Sequence, residues 1–300
     1  MTSGVAFSAA IVTPIKINLA LHIVGERHDG YHLLDSLVCF SFEGDILHYA
    51  PSQTNEFSIS GARAKGLAAD SHNLVVKARD LLSQKFPARA RSCFFELEKK
   101  LPVASGIGGG SGDAAAVFHL LKDQWAIEEK DEEWFKLALS LGADVPMCLS
   151  AFQNQKSLKV SGIGEKLQIL ENVCSLPMVL VNHGQPISTP QIFKMLGEKT
   201  STPLNIDYDK LNNVHSLVDE LKKTHNDLYE PAVKIAPELD NVLEKLEETG
   251  ALLARMSGSG ATCFGIYENI GVARNGATKI KAQKPHWFIK AVETTGGTKK

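Results

Sequence analysis

The sequence predicts an α+β protein. Strand-like and helix-like segments both occur without strict βα alternation. Residues 15–23 alternate with a period of two, whereas stretches after residues 113 and 237 place apolar residues at three-to-four spacing. The chain has 300 residues, 44% of them apolar, enough to bury a substantial core, and its length favours two domains over one.

From the N-terminus, Ile15, Ile17, Leu19, Leu21 and Ile23 share one face and Lys16, Asn18, Ala20 and His22 the other, which predicts a half-buried strand. Lys16 and Asn18 then project the same way, roughly 7 Å apart along the strand. A glycine-bearing turn over 25–30 leads to Tyr31-His32, and 37–42 and the segment after Asp45 read as further strands. Asp70-Ser71-His72-Asn73 precedes a helix with Leu74, Ala78, Leu81 and Leu82 on its apolar side. Residues 93–97 form a strand into a glycine-rich loop, and the following helix carries Ala114, Val117, Phe118, Leu121 and Trp125. Asp131 is the expected N-cap of a helix bearing Trp134, Phe135, Ala138 and Leu141 and ended by Gly142.

Asp144 follows at once in an apolar setting, where a buried carboxylate must be paired or hydrogen-bonded. A turn or capping role and a catalytic one both fit it. The polar, glycine-bearing stretch 153–164 suggests a boundary between domains spanning 1–160 and 161–300. Beyond it, 178–182, 252–256 and 262–267 read as strands, and Leu239, Val242, Leu243 and Leu246 form a helical stripe between Pro237 and Gly250. The tail 294–300 is expected to be disordered.

The loop Pro102-Val103-Ala104-Ser105-Gly106-Ile107-Gly108-Gly109-Gly110-Ser111-Gly112 holds five glycines within seven residues. Glycine admits positive φ and removes the side chain that would keep an anion from the peptide N–H groups. Successive N–H groups can converge as a nest, and the loop ends at a helix N-terminus with free donors and partial positive charge. Such a junction is suited to phosphate. It is neither a Walker A loop nor Gly-x-Gly-x-x-Gly, because no Gly-Lys-Ser/Thr is present and Ser111 stands where a third glycine belongs. Ser111 suits an N-cap. Asp113 would repel phosphates at the same N–H groups, so it is expected to point aside or meet a cation. A second cluster, Met256-Ser257-Gly258-Ser259-Gly260-Ala261-Thr262, joins two expected strands as a hairpin whose small residues would let its backbone approach the first loop closely.

A formal charge of −2 argues against bulk attraction to nucleic acid or an anionic membrane, so an anionic ligand must be held by a local site. No apolar run reaches membrane-spanning length, and no secretion signal is read at the N-terminus. Five dispersed cysteines without Cys-x-x-Cys pairs fit reduced thiols in a cytoplasmic protein.

Three segments together resemble the GHMP kinase superfamily: Thr13-Pro14-Ile15-Lys16-Ile17-Asn18-Leu19, the loop 102–116, and Ser257-Gly258-Ser259-Gly260-Ala261. They occur in the family's order across nearly the whole chain. Asp29-Gly30-Tyr31-His32, Leu141-Gly142-Ala143-Asp144-Val145-Pro146 and Thr189-Pro190-Gln191-Ile192-Phe193 narrow the likeness to the branch of the non-mevalonate route to isoprenoid precursors.

The resemblance implies a two-domain GHMP fold with a deep cleft, and transfer of the ATP γ-phosphoryl to the C2 hydroxyl of 4-diphosphocytidyl-2-C-methyl-D-erythritol. It makes Asp144 the catalytic base and Lys16 its charged neighbour. ATP would lie on Pro102, Val103, Ala104, Ser105, Gly106, Ile107, Gly108, Gly109, Gly110, Ser111 and Gly112, with Asn73 near the nucleotide. Mg²⁺ is implied as well, with Ser111 its candidate ligand.

The resemblance also sets cytosine beside His32 and between the rings of Tyr31 and Phe193, with Asn18 near the methylerythritol and Thr189 and Pro190 among the substrate contacts. A monomer or weak homodimer without nucleic-acid or membrane partners is expected. Another GHMP kinase acting on mevalonate, homoserine or a sugar is the nearest alternative. A nucleotide sensor that lost its chemistry is disfavoured because Lys16 and Asp144 are both retained, and a dinucleotide oxidoreductase because no Rossmann fingerprint opens the chain.

Overall fold

The computed structural model describes residues 6–197 and 200–296. The chain runs through β1 (Ala9–Val12), β2 (Ile15–Glu26), β3 (His32–Ser41), β4 (Ile46–Pro51), β5 (Glu56–Ser60), α1 (Leu74–Lys85), β6 (Cys93–Glu98), α2 (Gly109–Gln124), α3 (Asp131–Leu139) and α4 (Asp144–Asn154). It continues through β7 (Ser157–Gly162), β8 (Lys166–Leu170), β9 (Pro177–Asn182), α5 (Thr189–Leu196), α6 (Val214–Leu221), α7 (Tyr229–Ile235), α8 (Glu238–Glu248), β10 (Leu253–Met256), β11 (Thr262–Ile266), α9 (Ile270–Gln283) and β12 (Phe288–Glu293). Strands and helices are interspersed as α+β requires.

The described residues form two compact units, each assembled from three stretches of chain: residues 6–15, 42–103 and 108–154 in one, and 16–41, 104–107 and 155–296 in the other. The last change of unit falls at Asn154, inside the polar stretch where the sequence turns glycine-bearing.

In the first unit a four-stranded sheet of order β1-β4-β6-β5 carries α1, α2, α3 and α4. The β4–β6 pair is antiparallel and β5–β6 parallel. Leu47, Phe95 and Leu97 from the sheet, Val117, Phe118 and Leu121 from α2, and Leu82 from α1 form one buried core. Trp134 is fully enclosed there, its ring edge-on to Phe118 at 5.1 Å. Small residues let α2 approach its neighbours: a Cβ on Gly112 would lie 2.7 Å from the Pro14 carbonyl oxygen. The helix begins at Gly109, with Gly108 as its cap at φ +66° and no side-chain cap, so the capping role expected for Ser111 is not observed. A left-handed glycine turns the chain into the helix three residues earlier than a cap at Ser111 would. Likewise Asp131 is the first helical residue of α3 and Lys130 its cap.

The second unit contains two sheets, β10-β11-β9-β12 and β2-β3-β7-β8. The first is antiparallel throughout, and Val179, Val181, Val242, Leu246, Met256 and Ile280 lie in the core between it and its helices. Strand β2 departs from the half-buried expectation. Lys16, Asn18, Ala20 and His22 are as enclosed as their apolar neighbours, with Lys16 at 5% exposure. Both faces are covered because distant segments pack against the strand: Asn18 N donates to Ser257 Oγ, and Leu21 N to the His225 carbonyl. The tail also begins in order, since Thr294 is buried and its N–H donates to the Leu176 carbonyl. The remainder of that expected disordered tail, 297–300, lies outside the described residues.

Candidate active site

In the second unit, residues 104–107 of the glycine loop bring Lys16 and the second glycine cluster together. Lys16 N donates to the Ile107 carbonyl at 3.0 Å, Thr262 N to the Ser105 carbonyl at 3.1 Å, and Ser257 Oγ to the Gly106 carbonyl at 3.1 Å. The same hydroxyl accepts from Asn18 N at 3.1 Å, so Ser257 joins β2 to the loop. The close approach expected of the small-residue hairpin is present. Gly106 has φ +72°, and a Cβ on it would stand 2.5 Å from the Ser257 oxygen and 2.7 Å from Gly260 N. Asn18 Nδ2 donates to Ser36 Oγ, while its buried Oδ1 has no hydrogen-bond partner among the described residues.

The first unit holds the other half of the loop and Asp144. Pro102 is buried, Val103 is 48% exposed and Ala104, which belongs to the other unit, takes φ +49°. Gly108, Gly109, Gly110, Ser111 and Gly112 form the cap and first turn of α2, with Ser111 half-buried. Beside that turn, a Cβ on Gly110 would meet Leu74 at 3.4 Å, at the start of α1. Asn73 caps α1, its Oδ1 accepting from Val75 N at 3.0 Å. Asp144 is the first residue of α4, a helix packed along α2, and is partly exposed rather than buried in the apolar run around it. A carboxylate there suits the positive end of the helix dipole.

The residues expected around cytosine all belong to the second unit. His32 opens β3, and its ring centroid lies 5.1 Å from that of Phe193 on α5, with the planes 38° apart. Tyr31 is 60% exposed on the preceding turn, its N–H directed at Asp29 Oδ1. Thr189 begins α5 and shares a 2.7 Å hydrogen bond with Ser259 of the second glycine cluster, and Pro190 follows it in the helix's first turn.

Sequence reasoning missed several supports of this region. Asn226 Nδ2 donates to the carbonyls of Met256 and Gly258, both at 2.8 Å, and its Oδ1 accepts from Leu228 N, which fixes the second glycine turn from behind. Its signal was a polar pair, Asn226-Asp227, beside the apolar Leu228, with both members buried. The cation expected for Asp113 is Lys99, whose Nζ donates to Asp113 Oδ2 at 2.8 Å and to Asp45 Oδ2 at 2.5 Å. Burial and the Asp45 carboxylate raise Asp113 to about 7 despite Lys99.

The fold and these loops define a class. A model of the GHMP kinase N-terminal domain matches residues 73–152, and one of the GHMP kinase C-terminal region matches 210–286. A 4-diphosphocytidyl-2-C-methyl-D-erythritol kinase of Bartonella bacilliformis is 52% identical over 286 residues, covering 95% of this chain and 94% of its own. The protein of the same name from Bartonella henselae is 51% identical over 297 residues, 98% of each chain. A crystal structure of 4-(cytidine 5'-diphospho)-2C-methyl-D-erythritol kinase superposes with a TM-score of 0.78 at 27% identity, covering 96% of this chain and all of the other. The chain belongs to the GHMP kinases, and within them to the 4-diphosphocytidyl-2-C-methyl-D-erythritol kinase family. It is therefore an ATP-dependent kinase.

Proposed function

We propose that the protein transfers the γ-phosphoryl of ATP to the C2 hydroxyl of 4-diphosphocytidyl-2-C-methyl-D-erythritol in the non-mevalonate route to isoprenoid precursors. The observation that carries this reading is the hydrogen-bonded set in which the Lys16 strand, the glycine loop and the Ser257 turn meet, in a chain about half identical to enzymes of that name.

Phosphoryl transfer asks the protein mainly for position and charge. The N–H groups from Gly106 to Ser111 and the positive end of α2 receive the ATP phosphates, whereas the Gly112 N–H already donates to the Gly108 carbonyl at 2.7 Å. Asp144 takes the proton of the C2 hydroxyl as the new P–O bond forms, which aids a tertiary alcohol that is a poor nucleophile. Lys16 favours the ionised base and offsets charge on the moving group. Asn18, with its buried unpartnered Oδ1, lies toward the methylerythritol, and Asn73 toward the nucleotide. His32, Tyr31, Phe193, Thr189 and Pro190 receive the cytidine diphosphate, whose base suits stacking and edge hydrogen bonds.

Mg²⁺ is part of this proposal, with Ser111 in the first turn of α2 as its candidate ligand. The described residues hold no group of three His, Cys, Asp or Glu placed for a metal, and an ion that keeps most ligands from water and phosphate needs none. When bound, it would neutralise charge on the β- and γ-phosphates. We propose a cytoplasmic monomer or weak homodimer that binds no nucleic acid or membrane. No helix among the described residues is long and apolar enough to cross a membrane.

The test is ADP release with 4-diphosphocytidyl-2-C-methyl-D-erythritol, mevalonate and homoserine offered separately. Selective turnover of the first is expected; preference for either of the others would overturn the substrate.

A further inference from the structure

The first unit contains a charged cluster that the reading above leaves without a task. Lys99, Asp45 and Asp113 are exposed by 3%, 0% and 3%. Removing one partner from such a buried set is costly, yet apolar replacement of the whole set is often neutral or stabilising, so fold stability alone does not account for it.

Its connections account for it better. Asp45 Oδ1 accepts from the backbone N–H of Lys100 at 2.5 Å and of Leu101 at 2.8 Å, the last two residues before the glycine loop. Asp45 Oδ2 takes the Lys99 ammonium, which also holds Asp113 in the second turn of α2, just beyond the loop. The ammonium lies under the first residue of that helix, since a Cβ on Gly109 would meet Lys99 Nζ at 3.4 Å and Asp45 Oδ2 at 3.8 Å. Asp45 is itself fixed to a third segment: its N–H donates to Thr13 Oγ1 at 2.9 Å and its carbonyl accepts from Thr13 N at 2.8 Å. The carboxylate of Asp45 and the ammonium of Lys99 thus tie the strand end before the loop to the helix after it.

We propose that Lys99, with Asp45 and Asp113, is a positioning residue for ATP: the Asp45–Lys99–Asp113 tie fixes both ends of the glycine loop, so that its N–H groups are already in place when the phosphates arrive. Preorganised donors need no rearrangement at the moment of binding or reaction, which is where the benefit lies. The ammonium also cancels carboxylate charge that would otherwise face the phosphates across the helix start. None of the three residues touches substrate in this account. The inference rests on the ATP site placed at this loop.

Two variants test it. Asp113→Ala cuts the tie at the helix and leaves Lys99 and Asp45 as a neutral pair, so it carries no stranded charge. Lys99→Met combined with Asp113→Asn removes the ammonium and one carboxylate together, keeping the net charge of the set. In each folded variant the KM for ATP is expected to rise about ten-fold or more, the scale of losing one close charge pair. The KM for the cytidyl substrate should stay within about two-fold, because the residues assigned to it lie in the other unit. An unchanged KM for ATP in either folded variant overturns the proposal, and so does an equal rise in both KM values, the signature of general loosening. Wild-type enzyme without ATP-dependent turnover would refute the functional reading itself. Active wild type with kinetically silent variants would refute only the tie.

Discussion

Asparagine at position 144 keeps the size and the hydrogen-bonding outline of the carboxylate but cannot accept the C2 proton. Asp144→Asn is therefore expected to lower kcat by about 100-fold or more, the usual worth of a positioned base. Equilibrium binding of ATP and of the cytidyl substrate should change little. Single-turnover kinetics beside a binding titration separates these effects, and near-normal kcat would end the assignment of the base.

Residues of this kind were legible only as members of motifs. Lys16 by itself reads as a solvated strand lysine, and its 5% exposure comes from covering segments that no local pattern reveals. Lys99 and Asp45 were harder still, because they are 54 positions apart and each sits among ordinary polar residues of a strand end.

The glycine loop and its helix show how far an element can be read. The small residues of the second glycine cluster signal close approach to the first loop, and that approach is found. The helix start was placed late because a hydroxyl is the commoner cap and a left-handed glycine leaves no side-chain signature. Strands β5, β7 and β8 gave weaker signals, being five or six residues long with few fully buried positions.

At this scale Gly106 is the sharpest point of sensitivity. Gly106→Ala would force a Cβ into contacts of 2.5–2.7 Å with the Ser257 and Gly260 backbone at φ +72°. We expect destabilisation of about 2 kcal/mol or more together with a raised KM for ATP. Thermal unfolding and initial-rate kinetics report the two separately. A variant matching wild type in both would mean that the two glycine turns are free to part.

Across the whole molecule, acid sensitivity follows from histidines held neutral. Burial lowers the pKa of His22, His119 and His183. His22 is the best defined: one ring nitrogen faces the Thr202 carbonyl at 2.8 Å and the other accepts from His225 N at 3.2 Å, an arrangement only the neutral ring satisfies. The unfolded chain protonates near the ordinary histidine value of about 6.5, whereas the folded ring resists. Stability from this group is complete above that value and is lost as the pH falls through it toward the lowered folded value. The melting temperature of wild type should thus drop more between pH 7 and 5.5 than that of His22→Gln, as differential scanning calorimetry would record. Parallel pH profiles would remove His22 from the account.

The interleaved course of the chain bears on how this enzyme could be handled in pieces. Strands β2 and β3 are made early, yet β3 finds its ladder partner β7 more than a hundred residues later, so a ribosome must release most of the polypeptide before that sheet can close. A gene severed at codon 154 would yield an N-terminal product with an orphaned pair of strands and a C-terminal product missing half a sheet. Recovery of activity from co-expressed fragments would then depend on each half supplying the other's absent backbone partners, as in split-reporter systems, and not on two ready-made modules docking.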